Sequence, residues 1–523
     1  MLTATLLLAL WIPPAGGFSG LEANNSSAGE KRRLATVPQD AKLKKIYLSP
    51  DARRLGFIAR RGNKEFAVVD GVSTEEFDAI SSALTFSPDA RRFAFVARNG
   101  IEQFAILDGH RGEAYDRVDA PTFSPNGARF AYAAARGTLR FLVLDGARGG
   151  EYDSLTPPFV FSPDSRRLAF IAGRAGREFV VDEGAAEASF DLVLSPLSFS
   201  PDSKRLGYVG VEGRKEFAVV DGIKGAEFDR MIQPVTFSPD SRRFGYVVLN
   251  GDRQVAVLDW MKQGDVERVL SPLAFSPDSR HAAYIGRDKA AQMVVLDGFR
   301  SEAYDQVSSG LYFSADGRHV AYAGRRKNRQ FVVVDGAQGP DHDAVDQLTF
   351  SAFFQRRAYV ARRNDRVFAV VDGTPGEEFD RVEQIVFSPN LKRTAYVGTT
   401  AGTPAVVVDG VKEFVDGRAE GLSFMPDSSQ AWYVGRVGRQ KRVVLGAAAG
   451  ELFDDVSLFT FSPKGDRMAY LGRRGPGFCV VSGGRRSQDY DEVLALAFDE
   501  DGASVSFDAR EGSDFWHVQM PLR

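Results

Sequence analysis

A chain of 523 residues with 44% hydrophobic content and 40 phenylalanines has ample material for a packed interior. Its 66 basic and 69 acidic residues leave a formal charge of −3, which excludes a global pull toward nucleic acid or membrane, so any electrostatic signal must come from where the charges sit. One cysteine, Cys479, excludes internal disulfides and multi-cysteine metal sites, and it lies in an apolar run that reads as a buried strand.

The five histidines (His110, His281, His319, His342 and His517) fall at unrelated repeat positions, which argues against a His-based metal or catalytic cluster. No cofactor is expected. The chain opens on LTATLLLALWI at residues 2–12, which is too short to cross a bilayer and resembles the apolar part of a signal peptide without its basic start. The expectation is a periplasmic or secreted protein, or a cytoplasmic one if that segment is not a signal. The small polar stretch that follows reads as a linker, so residues 1–37 form a signal-like segment and linker. No other segment is long and apolar enough to span a membrane.

From Ser49 onward one block repeats at steps of 38 or 37 residues. Its core is FSPD-x-RR-x-x-(A/G)-(Y/F)-(V/I), then a basic Gly-containing stretch, then (F)-(A/V)-V-(V/L)-DG, then E-(Y/F)-D-x-(V/L). The leading serines are Ser49, Ser87, Ser124, Ser162, Ser200, Ser238, Ser276, Ser314, Ser351, Ser388 and Ser462, with degenerate copies at Met425 and Asp499. Taking the second unit in order, residues 84–86 read as a strand (a), and Ser87-Pro88-Asp89 as a turn with proline preset for its first corner. Residues 93–97 are strand b, Arg98-Asn99-Gly100 a turn, and residues 104–107 strand c. Asp108-Gly109 is a hairpin turn because both corners need positive φ, and residues 115–118 are strand d. Strands b and c lack polar alternation, so both faces must be covered. Stacking each small sheet on the next in a ring covers them, which defines a β-propeller.

The SPD(S/A)RR-x-A(Y/F) and VVDG elements resemble the TolB-type, WD40-like propeller repeat over residues 42–520. That resemblance implies a binding platform, or the propeller part of larger enzymes such as prolyl-oligopeptidase-like peptidases. It implies by analogy a role as an assembly partner in the cell envelope.

The predicted fold is therefore all-β, a propeller of about 13 four-stranded blades. The last unit supplies b and c but no d, while residues 39–49 align without a gap on residues 228–238, placing a spare d strand at the N-terminus. Pairing the two removes two open edges by strand exchange. Because rings of 4–8 blades are the rule, the expectation is two adjoining rings, residues 38–272 with six blades and 273–523 with seven; one very large ring is the alternative. The seam falls at the most divergent unit, which has Asp259-Trp260 where others have Asp-Gly.

Four-stranded blades put the a–b and c–d turns at one end and the b–c loops at the other. Basic pairs in the a–b turn face aspartates in the c–d turn and read as mutual neutralisation. The b–c loops are richer in cations, densest at Arg325, Arg326, Lys327, Arg329, Arg362, Arg363, Arg366, Arg436, Arg439, Arg473 and Arg474. With nearly uncharged d–a loops (Leu194-Ser195-Pro196, Ile232-Gln233-Pro234, Leu270-Ser271-Pro272) beside them, that end becomes a candidate surface for a protein or anionic envelope component. Few aromatics interleave, so a stacking platform for single-stranded nucleic acid is missing. The E-(Y/F)-D motif recurs in nearly every unit and reads as a building part whose aromatic packs on the next blade. The expected function is a non-catalytic extracytoplasmic binding scaffold. The alternative is a propeller hydrolase or lyase, lactonase- or glycosidase-like, acting in the central channel.

Overall fold

The computed structural model describes residues 30–307, 310–415 and 417–522, and within them every regular element is a β-strand. The strands form thirteen sheets in chain order, numbered here as blades 1–13 from Lys42. Blade 5 is representative. Its strands are a (Leu192–Phe199), b (Leu206–Glu212), c (Lys215–Val220) and d (Ile223–Phe228), paired in that order. Strand b is buried through its first five residues, as a sheet covered on both faces requires. Asp221 and Gly222 carry φ of 54° and 74°, the two left-handed corners of the hairpin between c and d. In blades 2, 3, 7 and 8 strand a is broken into two short pieces.

Blade contacts repeat as faithfully as the sequence. In blade 5 the Ser200 hydroxyl donates to Asp202 Oδ1 at 2.6 Å and accepts from the Arg205 amide at 3.0 Å, closing the a–b turn. The Ser203 hydroxyl accepts the Asp164 amide of blade 4 at 2.8 Å, and Arg205 ties Asp221 (2.9 Å) to the Arg242 carbonyl of blade 6 (3.1 Å). The basic pairs and aspartates of this end thus neutralise one another as expected, and they also staple each blade to its neighbours. His281 and His319, read from sequence as unrelated, take the same place in blades 7 and 8, each 2.6 Å from Asp297 or Asp335.

Thirteen core clusters each straddle two successive blades. One cluster joins Val247, Leu258 and Val266 of blade 6 to Leu273 and Tyr284 of blade 7, straight across residue 272. Another joins Phe515 of blade 13 to Leu55, Phe57 and Phe66 of blade 1. Thirteen interfaces for thirteen blades make one closed ring, so the seam near 272 and the division into two rings give way to the single-ring alternative. The physical reason is that the divergent turn at Asp259-Trp260 packs toward blade 5, with Trp260 against Phe244 and Tyr246, and leaves the faces of blades 6 and 7 intact. Closure is by strand exchange: Glu30–Thr36 pairs antiparallel with Asp514–Pro521 and serves as strand d of blade 13. Residues 30–36, assigned from sequence to a linker, are therefore part of the ring.

Strand boundaries also shift. The E-(Y/F)-D motif ends strand d, and strand a of the next blade starts directly after its Asp, as Arg230–Phe237 follows Asp229. The aromatic packs on the next blade as expected. Phe190 lies 6.2 Å edge-on from Tyr208, over Gly210, where an added Cβ would come within 2.6 Å of its ring. The supposed d–a loops are a bulge inside strand a, with register slipping between Leu194 and Ser198 because proline offers no amide to the ladder.

Candidate functional site

Innermost strands of successive blades lie against each other and the outermost do not, so strand a lines a central channel. With sheets about 10 Å apart at mid-blade and strands about 4.8 Å apart, thirteen blades give an innermost-strand ring roughly 27 Å across. The channel-facing strand a exposes Leu192 at its start in blade 5, Ile232 at a register slip in blade 6 and Leu270 in the break between its two pieces in blade 7. The leucine-serine-proline segments once read as loops of the cationic face therefore belong to the channel wall.

The b–c end is more balanced than its sequence suggests. The motif aspartates clip the b–c turn of the following blade, and Asp78, Asp191, Asp229, Asp343, Asp380 and Asp491 also pair with a cation. Asp78 accepts the Gly100 amide at 2.6 Å and Lys64 Nζ at 2.7 Å, and these bonds, the amide first, hold its carboxyl below the usual value. Among the eleven predicted residues, Arg326 pairs with Glu302 (2.7 Å), Arg329 with Asp343, Arg366 with Asp380, Arg436 with Glu420 (3.8 Å) and Arg474 with Glu451 (3.3 Å). Arg363 lies over the Phe368 ring at 5.3 Å. Among the described residues, Arg325, Lys327, Arg362, Arg439 and Arg473 have no carboxylate within ion-pair distance of their side chains. The predicted set is therefore not one uniform surface.

Three of these unpaired cations belong to a narrower feature. Arg325, Arg362 and Arg473 are the next-to-last residues of strand b, opposite the first residue of strand a, at the channel mouth. The same rim carries Arg60 and Arg98, also on strand b, and Lys42, Arg230, Arg268 and Arg418 at the start of strand a. None of these has a carboxylate at ion-pair distance among the described residues. In three blades cations face each other across the strands: Lys42 opposite Arg60, Arg268 opposite Arg287, and Arg418 opposite Arg436. Like charges directly opposite cost stability in a sheet. The signal in the sequence is a basic residue at the first position of strand a (Arg230, Arg268 and Arg418), hidden by assigning that position to strand d; at the same position Arg117 and Arg381 are paired with Asp119 and Glu383.

A cleft of about 390 Å³ opens beside this rim between blades 9 and 10, lined by Asp346, Arg362, Asp380, Arg381 and Glu383 among others. His342 takes the aromatic place of the motif in blade 8. It is 5% exposed, its Nε2 lies 3.3 Å from the Tyr359 hydroxyl, and its Nδ1 has no partner. Among the described residues no group of three or more His, Cys, Asp or Glu side chains is placed to hold a metal ion. Cys479 is fully buried and burial raises its thiol pKa. No helix is long and apolar enough to cross a membrane among the described residues. Residues 2–12 lie outside them.

The fold and the channel define a thirteen-bladed β-propeller. No protein-family model and no curated protein sequence matches the chain. Among solved structures it is similar to a crystal structure described as the eukaryotic initiation factor, at 14% identity and a TM-score of 0.31, over 62% of this chain and 96% of that one. It is also similar to the Niastella koreensis GH74 enzyme (NkGH74), at 12% identity and a TM-score of 0.23, over 92% and 91%. Likenesses of that degree say nothing about activity.

Proposed function

We propose that this propeller is a non-catalytic binding scaffold that holds an acidic protein partner at the b–c mouth of its channel. The observation that carries the reading is the rim of cations without carboxylate partners, three of which (Lys42, Arg268 and Arg418) stand opposite a second cation. At the other end of blades 1–6, 9 and 10 the second cation of the a–b pair is consumed by an aspartate and a neighbour's carbonyl. A fold under no demand but stability loses nothing by replacing Lys42 or Arg418 with a neutral residue, whereas a bound carboxylate turns the repulsion into attraction. The extracytoplasmic setting suggested by residues 2–12 makes an envelope protein the fitting partner class.

The test is capture from a cell-envelope extract washed at rising salt, beside binding of a poly-aspartate peptide. The triple substitution Arg325→Glu, Arg362→Glu and Arg473→Glu is expected to abolish both, and Arg91→Glu at the opposite end to leave them unchanged. Binding is expected to weaken steeply toward 1 M salt, where the screening length falls to about 3 Å. Equal binding by wild type and the triple variant refutes the reading. So does salt-independent turnover of sugar or lactone substrates in the channel.

A further inference from the structure

We propose that the a–b/c–d face of the ring docks on an anionic lipid surface through an apolar arc that runs over blades 5–10. Among the described residues thirteen large hydrophobic side chains are exposed, and their distribution is lopsided. Two, Ile101 and Leu139, stand at the b–c end, and four line the channel. Seven stand at the tips of a–b and c–d turns. Val72 is apart in blade 1, and Ile223, Trp260, Met261, Phe299, Phe353 and Val411 follow one another around the ring.

Two of these tips are the places where the repeat breaks its own turn chemistry. Blade 6 has Trp260 where most hairpins have glycine (blade 11 has Ala447), and Trp260 keeps the left-handed φ of 69°. A bulky side chain in that region is a strained choice that the fold itself does not need, since Asp-Gly serves neighbouring blades. Blade 9 has Ala352-Phe353-Phe354 in place of Pro-Asp-Ser, with Phe354 at φ 53° stacked 4.4 Å from Phe350 and Phe353 left 50% exposed. Both departures put an aromatic on the same face. Trp260 is held edge-on against Phe244 at 4.9 Å, with 37% of it still in solvent, and Phe299 in the next blade is 81% exposed.

Geometry and charge favour lipid over a protein groove. Equivalent turns of a closed ring lie in one plane, and at the outer rim they stand about 13 Å apart by the sheet spacings. A flat surface meets several such tips at once. The same blades present Lys204, Arg242 and Arg280, with side chains 83%, 87% and 78% exposed. Each forms a long ion pair with Asp202, Asp240 or Asp278 at 4.0, 3.9 and 3.8 Å; those aspartates turn their other oxygen inward to the turn serine and amide, so the cation is the more exposed member of each pair. Aromatic tips backed by Lys and Arg suit the interface of an anionic leaflet. The chain also joins the ring on this face. Glu30 pairs with Gln519 near the end of strand c, and residues 13–29, which reach at most about 60 Å when extended, connect it to the apolar stretch 2–12.

The experiment is co-sedimentation of the full chain with vesicles of phosphatidylcholine alone or with a third phosphatidylserine, at low and high salt. The expected result is binding to the anionic vesicles, weakened by salt. Met261→Asp with Phe299→Asp is expected to reduce it about tenfold or more, and Trp260→Gly severalfold. All these side chains are exposed wholly or in part, and an unchanged urea midpoint verifies that each variant is folded. No binding by wild type overturns the proposal, as does equal binding by the double variant, which would assign the affinity to residues 2–12. Self-association lost in the double variant without any vesicle binding would make the face a contact between copies, and overturns it too.

Discussion

Replacing Phe57 and Phe515 with alanine, singly and together, tests whether blades 1 and 13 share an interface. The two rings stack 5.4 Å apart with 22° between their planes, and both side chains are fully buried. Each single truncation removes a buried phenyl ring and leaves a cavity, for a loss of about 3–5 kcal/mol. Because the rings touch, the double variant loses less than the sum, and the shortfall is the aromatic pair, about 0.5–1.5 kcal/mol. The measurement is urea unfolding of the four proteins followed by the fluorescence of Trp516, the residue beside Phe515. In two separate rings, or in an open spiral, these side chains sit in different interfaces and the losses add. Additivity within about 0.3 kcal/mol would refute the single closed ring, and with it the wide channel and the common plane of its turns.

Acid is expected to loosen the interface of blades 8 and 9. Burial first, then Arg363 and Arg329, hold the His342 pKa below its ordinary 6.5, so the folded state resists the proton that the unfolded chain accepts. Its contribution is full above pH 6.5 and declines as pH falls from there toward the lowered folded value. Urea midpoints between pH 8 and 5 should fall less steeply in His342→Phe, and an unchanged slope would count against this assignment. Gly210→Ala is expected to cost about 1–3 kcal/mol by overpacking, because its methyl would meet the Phe190 ring, whereas Gly435→Ala, with no neighbour nearer than 3.5 Å, should cost far less. Comparable thermal midpoints for the two would show that the motif aromatic does not need that glycine.

The repeat alone determined the local structure. Apolar runs at Phe93 and Phe104, the Asp-Gly hairpins and the SPD turns specify a small sheet greasy on both faces, and counting their copies yields thirteen. The missing last strand was legible as well, but for the strand that replaces it the alignment points to residue 39 onward, where blade 1 begins, whereas it lies at residues 30–36. What sequence could not weigh was ring size. Each blade face adapts to its neighbour through side chains such as Phe190 and Val266, and the small angle between blades is set by all their packing together. Nor could it separate a bulge in strand a from a loop, because Ser195-Pro196 reads alike in both. The cationic site shows the same division. Arg326 and Arg474 looked as free as Arg325 and Arg473 until the tertiary structure set carboxylates beside the first two. Which charges remain unspent depends on contacts between distant residues, and only the folded ring decides those.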